Sequence, residues 1–166
     1  MLKHNKGLAN HCVPGSKTKQ LITILSNKDP EDTVTDVLIH MGTNDLPHTT
    51  PQTLANDLAH TLHLAQQKFP NATIFYSPIL PKTNEESLQS CDKINKMMEL
   101  VCQLNDFMFI NTRPLFANRD GVRWDKFSVR DYLHLNRSGV KAIAKHLKYA
   151  IVTTRPKAPP PYTPSS

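Results

Sequence analysis

The stretch VTDVLIHMGTND, Val34–Asp45, joins a β-branched, largely apolar run to a polar turn that opens with glycine. A run of this kind, Val34–Met41, suits a strand buried on both faces, which is the habit of parallel sheets. Two other runs share its character, Ala72–Ser77 (ATIFYS) and Phe107–Asn111 (FMFIN), and a shorter one, His11–Val13, ends at Pro14-Gly15. Helical patterns lie between them. Lys17–Asn27 is one, Gln52–Phe69 carries Leu54, Leu58, Leu62, Ala65 and Phe69 on one stripe, and Glu85–Leu104 is a third. A last helix is predicted from Asn136, a good N-cap residue, to about Ala150. Strand and helix alternate, so the expected fold is a three-layer α/β/α sandwich around a mainly parallel sheet.

Length and composition are those of one domain: 166 residues suffice for a sizeable core. Cys12, Cys91 and Cys102 form no C-x-x-C and cannot all pair, which speaks against a disulfide framework or a cysteine-rich zinc site and for a reducing compartment. The N-terminus lacks the apolar stretch of a signal peptide, and no segment reaches the length of a membrane span. A soluble, cytoplasmic chain is therefore expected. After residue 152 the texture changes to TTRPKAPPPYTPSS. Prolines this dense cannot join a helix or a sheet ladder, so the domain is expected to cover 1–152 and to be followed by a disordered or polyproline tail, 153–166. Within it Pro159, Pro160, Pro161 and Tyr162 spell P-P-x-Y, which resembles the ligand motif of WW domains.

The net charge of +6 is unevenly placed. Residues 1–112 carry 9 Lys/Arg against 11 Asp/Glu, whereas 113–148 carry 9 against 3. Such an excess favours anionic partners, nucleic acid among them. Lys141, Lys145 and Lys148, however, fall at helical spacing opposite Val140, Ile143 and Leu147, as on an ordinary solvated face, and no aromatic residue interleaves with them to stack a base.

In open α/β sheets ligands bind beyond the carboxyl ends of the strands. The residues there are Pro14-Gly15-Ser16, Gly42-Thr43-Asn44-Asp45, Ser77-Pro78 and Thr112-Arg113-Pro114. In GTND the glycine allows close backbone approach, and the asparagine amide can donate to a developing oxyanion. Taken alone, the same residues also make a good strand-to-helix turn. Ahead of the last helix, DYLHLN places Asp131 three residues before His134. A carboxylate that accepts from one imidazole nitrogen fixes the tautomer and leaves the other nitrogen to deprotonate a serine. Asp57, His60 and His63 lie opposite the leucine stripe and read as solvated rather than metal-ligating. His40 reads as a satisfied core histidine, and Trp124 and Phe127 as the apolar lining of the D-x-x-H loop.

A glycine after the first run, GTND after the second and D-x-x-H-L-N before the last helix together resemble the SGNH (GDSL-type) hydrolase family over about residues 10–150. The resemblance implies a flavodoxin-like sandwich with a five-stranded parallel sheet in the order 2-1-3-4-5. It implies serine ester hydrolysis on a small-molecule or acylated substrate, with no metal and no cofactor. Gly15 and Asn44 would then supply the oxyanion hole, and His134 and Asp131 the base and its orienting acid. The chain departs from the pattern in one respect: G-D-S, whose serine is the family's nucleophile, occurs nowhere in it. Ser16 sits beside the oxyanion glycine and is not in the nucleophile's place, so no nucleophile is assigned. The chain is expected to be incomplete at its N-terminus, without the first strand, and inactive as it stands. The other reading is a noncatalytic relic or interaction module, resembling the SGNH domains of LINE-type retrotransposon proteins, with a basic surface for nucleoprotein contacts.

Overall fold

The computed structural model describes residues 7, 9–81 and 85–154. The P-P-x-Y motif lies outside them. Three short strands, β1 (Asp36–Ile39), β2 (Thr73–Tyr76) and β3 (Met108–Phe109), form one parallel sheet in that order. Asp36 stands opposite Thr73 and Ile39 opposite Tyr76, and Phe75 opposite Met108. The crossovers are helices: α1 (Thr18–Ser26) precedes β1, α2 (Pro51–Lys68) joins β1 to β2, and α3 (Glu85–Leu104) joins β2 to β3. A single turn, α4 (Arg113–Phe116), and a small antiparallel hairpin, β4 (Ala117–Asn118) with β5 (Gly121–Val122), lead to the final helix α5 (Arg137–Thr154).

The leucine stripe of α2 does what its period requires. Leu54, Leu58, Leu62 and Ala65 are wholly buried against Ile39, Ile74 and Tyr76 of the sheet and Ile94 and Met98 of α3. Thr50 caps the helix by accepting from the Thr53 N–H at 3.2 Å. α1, α2 and α3 thus form one layer, the sheet a second, and α5 a third that faces Phe75, Met108 and Ile110 across a cleft, with His146 Nε2 3.0 Å from the Asn111 carbonyl oxygen. The third layer is thin. Gly139 is the buried residue of α5, while Val140, Tyr149 and Val152 are exposed, so the side of the helix expected to be apolar is only partly covered.

His11–Val13 does not form a strand, contrary to its sequence, and Val13 is 56% exposed. In the order 2-1-3-4-5 the second strand has the first as its only neighbour. Without that neighbour no ladder forms, and the described sheet keeps the equivalents of strands three to five. The unpaired edge is therefore the outer edge of β1, open to water, rather than two edges inside a sheet. Leu38 on that strand is 38% exposed. Cys91 and Cys102 are buried core residues, but Cys12, in the segment without a partner, is exposed. His40, at the end of β1, is also exposed rather than a core residue; its Nδ1 lies 3.1 Å from the Ser77 hydroxyl.

Two positions test this packing. The Tyr76 hydroxyl is buried with no hydrogen-bond partner among the described residues, and its removal relieves an unpaired polar group. Tyr76→Phe is expected to stabilise the protein by about 1 kcal/mol in urea unfolding. At Gly139 an added Cβ would lie 2.3 Å from the Lys126 carbonyl oxygen. Gly139→Ala is expected to cost about 1–3 kcal/mol by the same measurement, since the first turn of α5 must move away.

Candidate functional site

Val13 to Ser16 form a tight turn in which the Ser16 N–H donates to the Val13 carbonyl at 3.1 Å. Pro14 supplies the fixed φ, and Gly15, at φ +72°, the left-handed position that follows it. An added Cβ at Gly15 would meet nothing within 4 Å, so its backbone faces open space.

The GTND loop holds this turn in place. The Asn44 amide donates to the Ser16 carbonyl at 3.1 Å, which commits one of its two N–H groups and leaves a second for another acceptor. Asp45, buried, accepts from the Thr18 N–H at 3.1 and 3.2 Å and from the Thr18 hydroxyl at 2.9 Å. Its carboxylate thereby satisfies an orphan donor in the first turn of α1 and meets the positive end of that helix. Gly42, at φ +114°, starts the loop where a side chain would strike Ile79. Ser16 and Asn44 are thus joined across 28 residues, which sets the Gly15 turn beside the GTND loop. Asp45 and Thr18 have no role in the sequence reading, because the pairing that gives them one is long-range.

Asp131 and His134 are also together. His134 Nδ1 lies 2.6 Å from Asp131 Oδ2, and the other oxygen, Oδ1, accepts from the N–H groups of Leu133 at 2.9 Å and His134 at 3.0 Å. These bonds hold the Asp131 carboxyl down at about 2; the Leu133 N–H contributes most, the His134 ring next and the His134 N–H third. An ionised carboxylate can only accept, so Nδ1 carries the proton and Nε2 is the nitrogen that faces outward. The His134 side chain is 77% exposed.

The loop around this pair is ordered by its own backbone. Ser128 N–H donates to the His134 carbonyl at 2.7 Å, and Tyr132 N–H to the Ser128 carbonyl at 2.8 Å. Asn136 ties it to α5: its Nδ2 donates to the carbonyls of Asp125 and Phe127, and its Oδ1 accepts from the Gly139 N–H at 2.9 Å, the N-cap geometry expected of it. Phe127 is buried beneath the loop and meets both Phe116 and Trp124, as an apolar lining should. Tyr132 stands at φ +49°, a left-handed conformation uncommon for an aromatic residue.

No hydrogen bond or ion pair among the described residues joins the Gly15/Asn44 half to the Asp131/His134 half. Each half is assembled separately on its own end of the chain. Among the described residues there is also no group of three or more His, Cys, Asp or Glu placed to hold a metal, and no helix long and apolar enough to cross a membrane.

Comparison with known proteins places the architecture. No curated protein matches the sequence. Solved structures do. The OSK domain of Drosophila Oskar superposes with a TM-score of 0.70 at 19% identity, over 90% of this chain and 77% of that one. A GDSL-like lipase from Bacteroides thetaiotaomicron gives 0.68 at 17%, over 85% and 73%. The esterase domain of the ORF1 protein of the zebrafish ZfL2-1 retrotransposon gives 0.54 at 23%, over 92% and 89%. At these identities the likeness is one of fold. The pattern that defines the GDSL-like lipase/acylhydrolase family matches residues 3–142, most of the length of the protein, and the chain therefore belongs to that family.

Proposed function

We propose that this chain is the body of a serine ester hydrolase, holding the acid–base and oxyanion halves of the site and lacking the nucleophile. The observation that carries the reading is the 2.6 Å contact between His134 Nδ1 and an Asp131 carboxylate held ionised by two backbone N–H groups. In the completed site a serine at the end of an added strand beside β1 attacks the ester carbonyl carbon as His134 Nε2 takes its hydroxyl proton. Asp131 keeps the ring in the required tautomer and stabilises the imidazolium. The Gly15 N–H and the second Asn44 N–H meet the oxyanion, and His134 returns the proton to the departing alkoxide. Water then repeats the sequence on the acyl-serine. The open outer edge of β1 is where the strand order of the family sets its first strand.

A second reading is favoured by the basic excess of residues 113–148, nine Lys/Arg against three Asp/Glu. On it the fold serves as a noncatalytic interaction module. The structural likeness to the esterase domain of a retrotransposon ORF1 protein fits a retrotransposon-type protein on either reading. The acyl group, the WW-type motif Pro159-Pro160-Pro161-Tyr162 and any nucleic-acid contact belong to the same tier of proposal.

Completion decides between the two. The chain as it stands is expected to show no fluorophosphonate labelling, at Ser16 or elsewhere. With an N-terminal segment added that carries an apolar strand ending in Gly-Asp-Ser, labelling and p-nitrophenyl ester turnover are both expected. In the completed protein His134→Ala and Asp131→Asn should each lower kcat by about 10⁴-fold or more, and Asn44→Ala by about 10²–10³-fold. Turnover that survives His134→Ala would refute the assignment. A completed protein that folds but reacts with no ester would establish the noncatalytic reading.

The Asp131 geometry has its own signature in pH. Its folded-state pKa is depressed, so the ordering it gives the loop is fully present above the ordinary carboxylate value and disappears as pH falls through about 2. The backbone amide resonances of Leu133 and His134 should therefore titrate together near pH 2. Asp131→Asn should abolish the titration, and a midpoint at the ordinary aspartate value near 3.8 would contradict the hydrogen bonds.

A further inference from the structure

The loop that carries His134 displays apolar side chains to water on one continuous segment. Val129 is 78% exposed, Tyr132 45%, Leu133 40% and Trp124 42%. Trp124 and Tyr132 meet edge to face with ring centroids 5.8 Å apart, which gathers two of the four at one place, and Val129 and Leu133 lie on the same short loop. The patch is held out, not frayed out. The bonds from Ser128 to His134 and from Tyr132 to Ser128 close the loop, and the left-handed backbone at Tyr132 turns its ring outward at a conformational cost. A loop that folds in order to expose Val129 and Leu133 has an apolar partner.

Charge identifies the partner. Residues 119–137 hold five Lys/Arg and three Asp. Asp125 is paired with Arg123 and Lys126, while Asp131 accepts from His134 Nδ1 and keeps its charge, so the segment as a whole carries a net +2. Arg119, Arg130 and Arg137 make no ion pair among the described residues, and Arg130 stands between Val129 and Asp131 within the patch itself. From Arg137 the cations continue along α5 at Lys141, Lys145 and Lys148, all exposed. Apolar tips with a Trp and a Tyr, with Arg130 among them and a net basic segment behind, match the interface of an anionic bilayer: acyl chains take the aliphatic tips, the headgroup region takes the aromatic rings, and phosphate and carboxylate groups take the arginine. Single-stranded nucleic acid fits less well. Val129 and Leu133 offer a base neither stacking nor hydrogen bonds, and the two aromatic rings are turned toward each other.

We propose that the Trp124–Leu133 loop is a docking surface for anionic membrane, which would bring lipid to the rim of the Asp131–His134 pair. Docking needs no nucleophile, so it stands or falls separately from ester hydrolysis.

Trp124 is the only tryptophan in the chain and lies in the patch, so its fluorescence reports on it directly. The full chain is mixed with vesicles of phosphatidylcholine alone or with about 30% phosphatidylserine, and sedimentation and emission are followed together. Binding to the anionic vesicles with a blue shift of Trp124 is expected, weakening as salt is raised. The Val129→Asp/Leu133→Asp double variant should bind at least about tenfold more weakly, and Arg130→Ala about fivefold. Both changes lie on exposed side chains, and an unchanged far-UV circular dichroism spectrum shows that the fold is intact. Sedimentation without a blue shift, or binding indifferent to the double variant, overturns the proposal. So does a Trp124 response to single-stranded RNA in the absence of any response to vesicles.

Discussion

The buried carboxylate of Asp45 is the contact on which the amino-terminal part of the structure depends. It takes both the N–H and the hydroxyl of Thr18, and neither group has another described acceptor. A charge taken out of water must be repaid with good hydrogen bonds, and the first turn of a helix provides them along with a favourable dipole. Because Asp45 follows Asn44 directly, the same grip fixes the start of α1, the Gly15 turn and the amide that would face a substrate. Where a strand would ordinarily carry Gly15, two side chains of the GTND loop carry it instead.

The sheet explains why such a grip is needed. A parallel strand has no neighbour in sequence to pair with, so its existence is conditional on another strand arriving beside it. β1, β2 and β3 satisfy one another through helical crossovers of ordinary length, whereas His11–Val13 pairs with no strand among the described residues. Hydration of the outer edge of β1 avoids the cost of about 1–3 kcal/mol for each buried unpaired backbone group that an interior gap would impose. The edge is four residues long and begins at the charged Asp36. Short, charged edges resist indiscriminate pairing.

What could be read from the residues follows the same division between local and distant causes. α2 was legible to within a residue because a leucine stripe repeats along it, and Asn136 because capping is decided within one turn. The Asp131–His134 contact was legible for the same reason, three residues apart in one loop. The strands proved shorter than their apolar runs, most of all Phe107–Asn111, of which Met108–Phe109 pairs. His11–Val13 carried a strand's composition without a strand's neighbour. Asp45 looked like a turn residue because its partner lies 27 positions away, and nothing in DYLHL announces a left-handed tyrosine.

The thin third layer also bears on how the molecule is made. The core drawn from α1, α2, α3 and the sheet is built from residues 25 to 107. A nascent chain emerging amino-terminus first has all of it in hand before Asp131 is synthesised. α5 follows, and its main neighbours are the α4 turn and the turn Trp124–Lys126 rather than that core. The Asp131–His134 pair is in this sense added last, over the small separate cluster of Phe116 and Phe127 rather than over the main core.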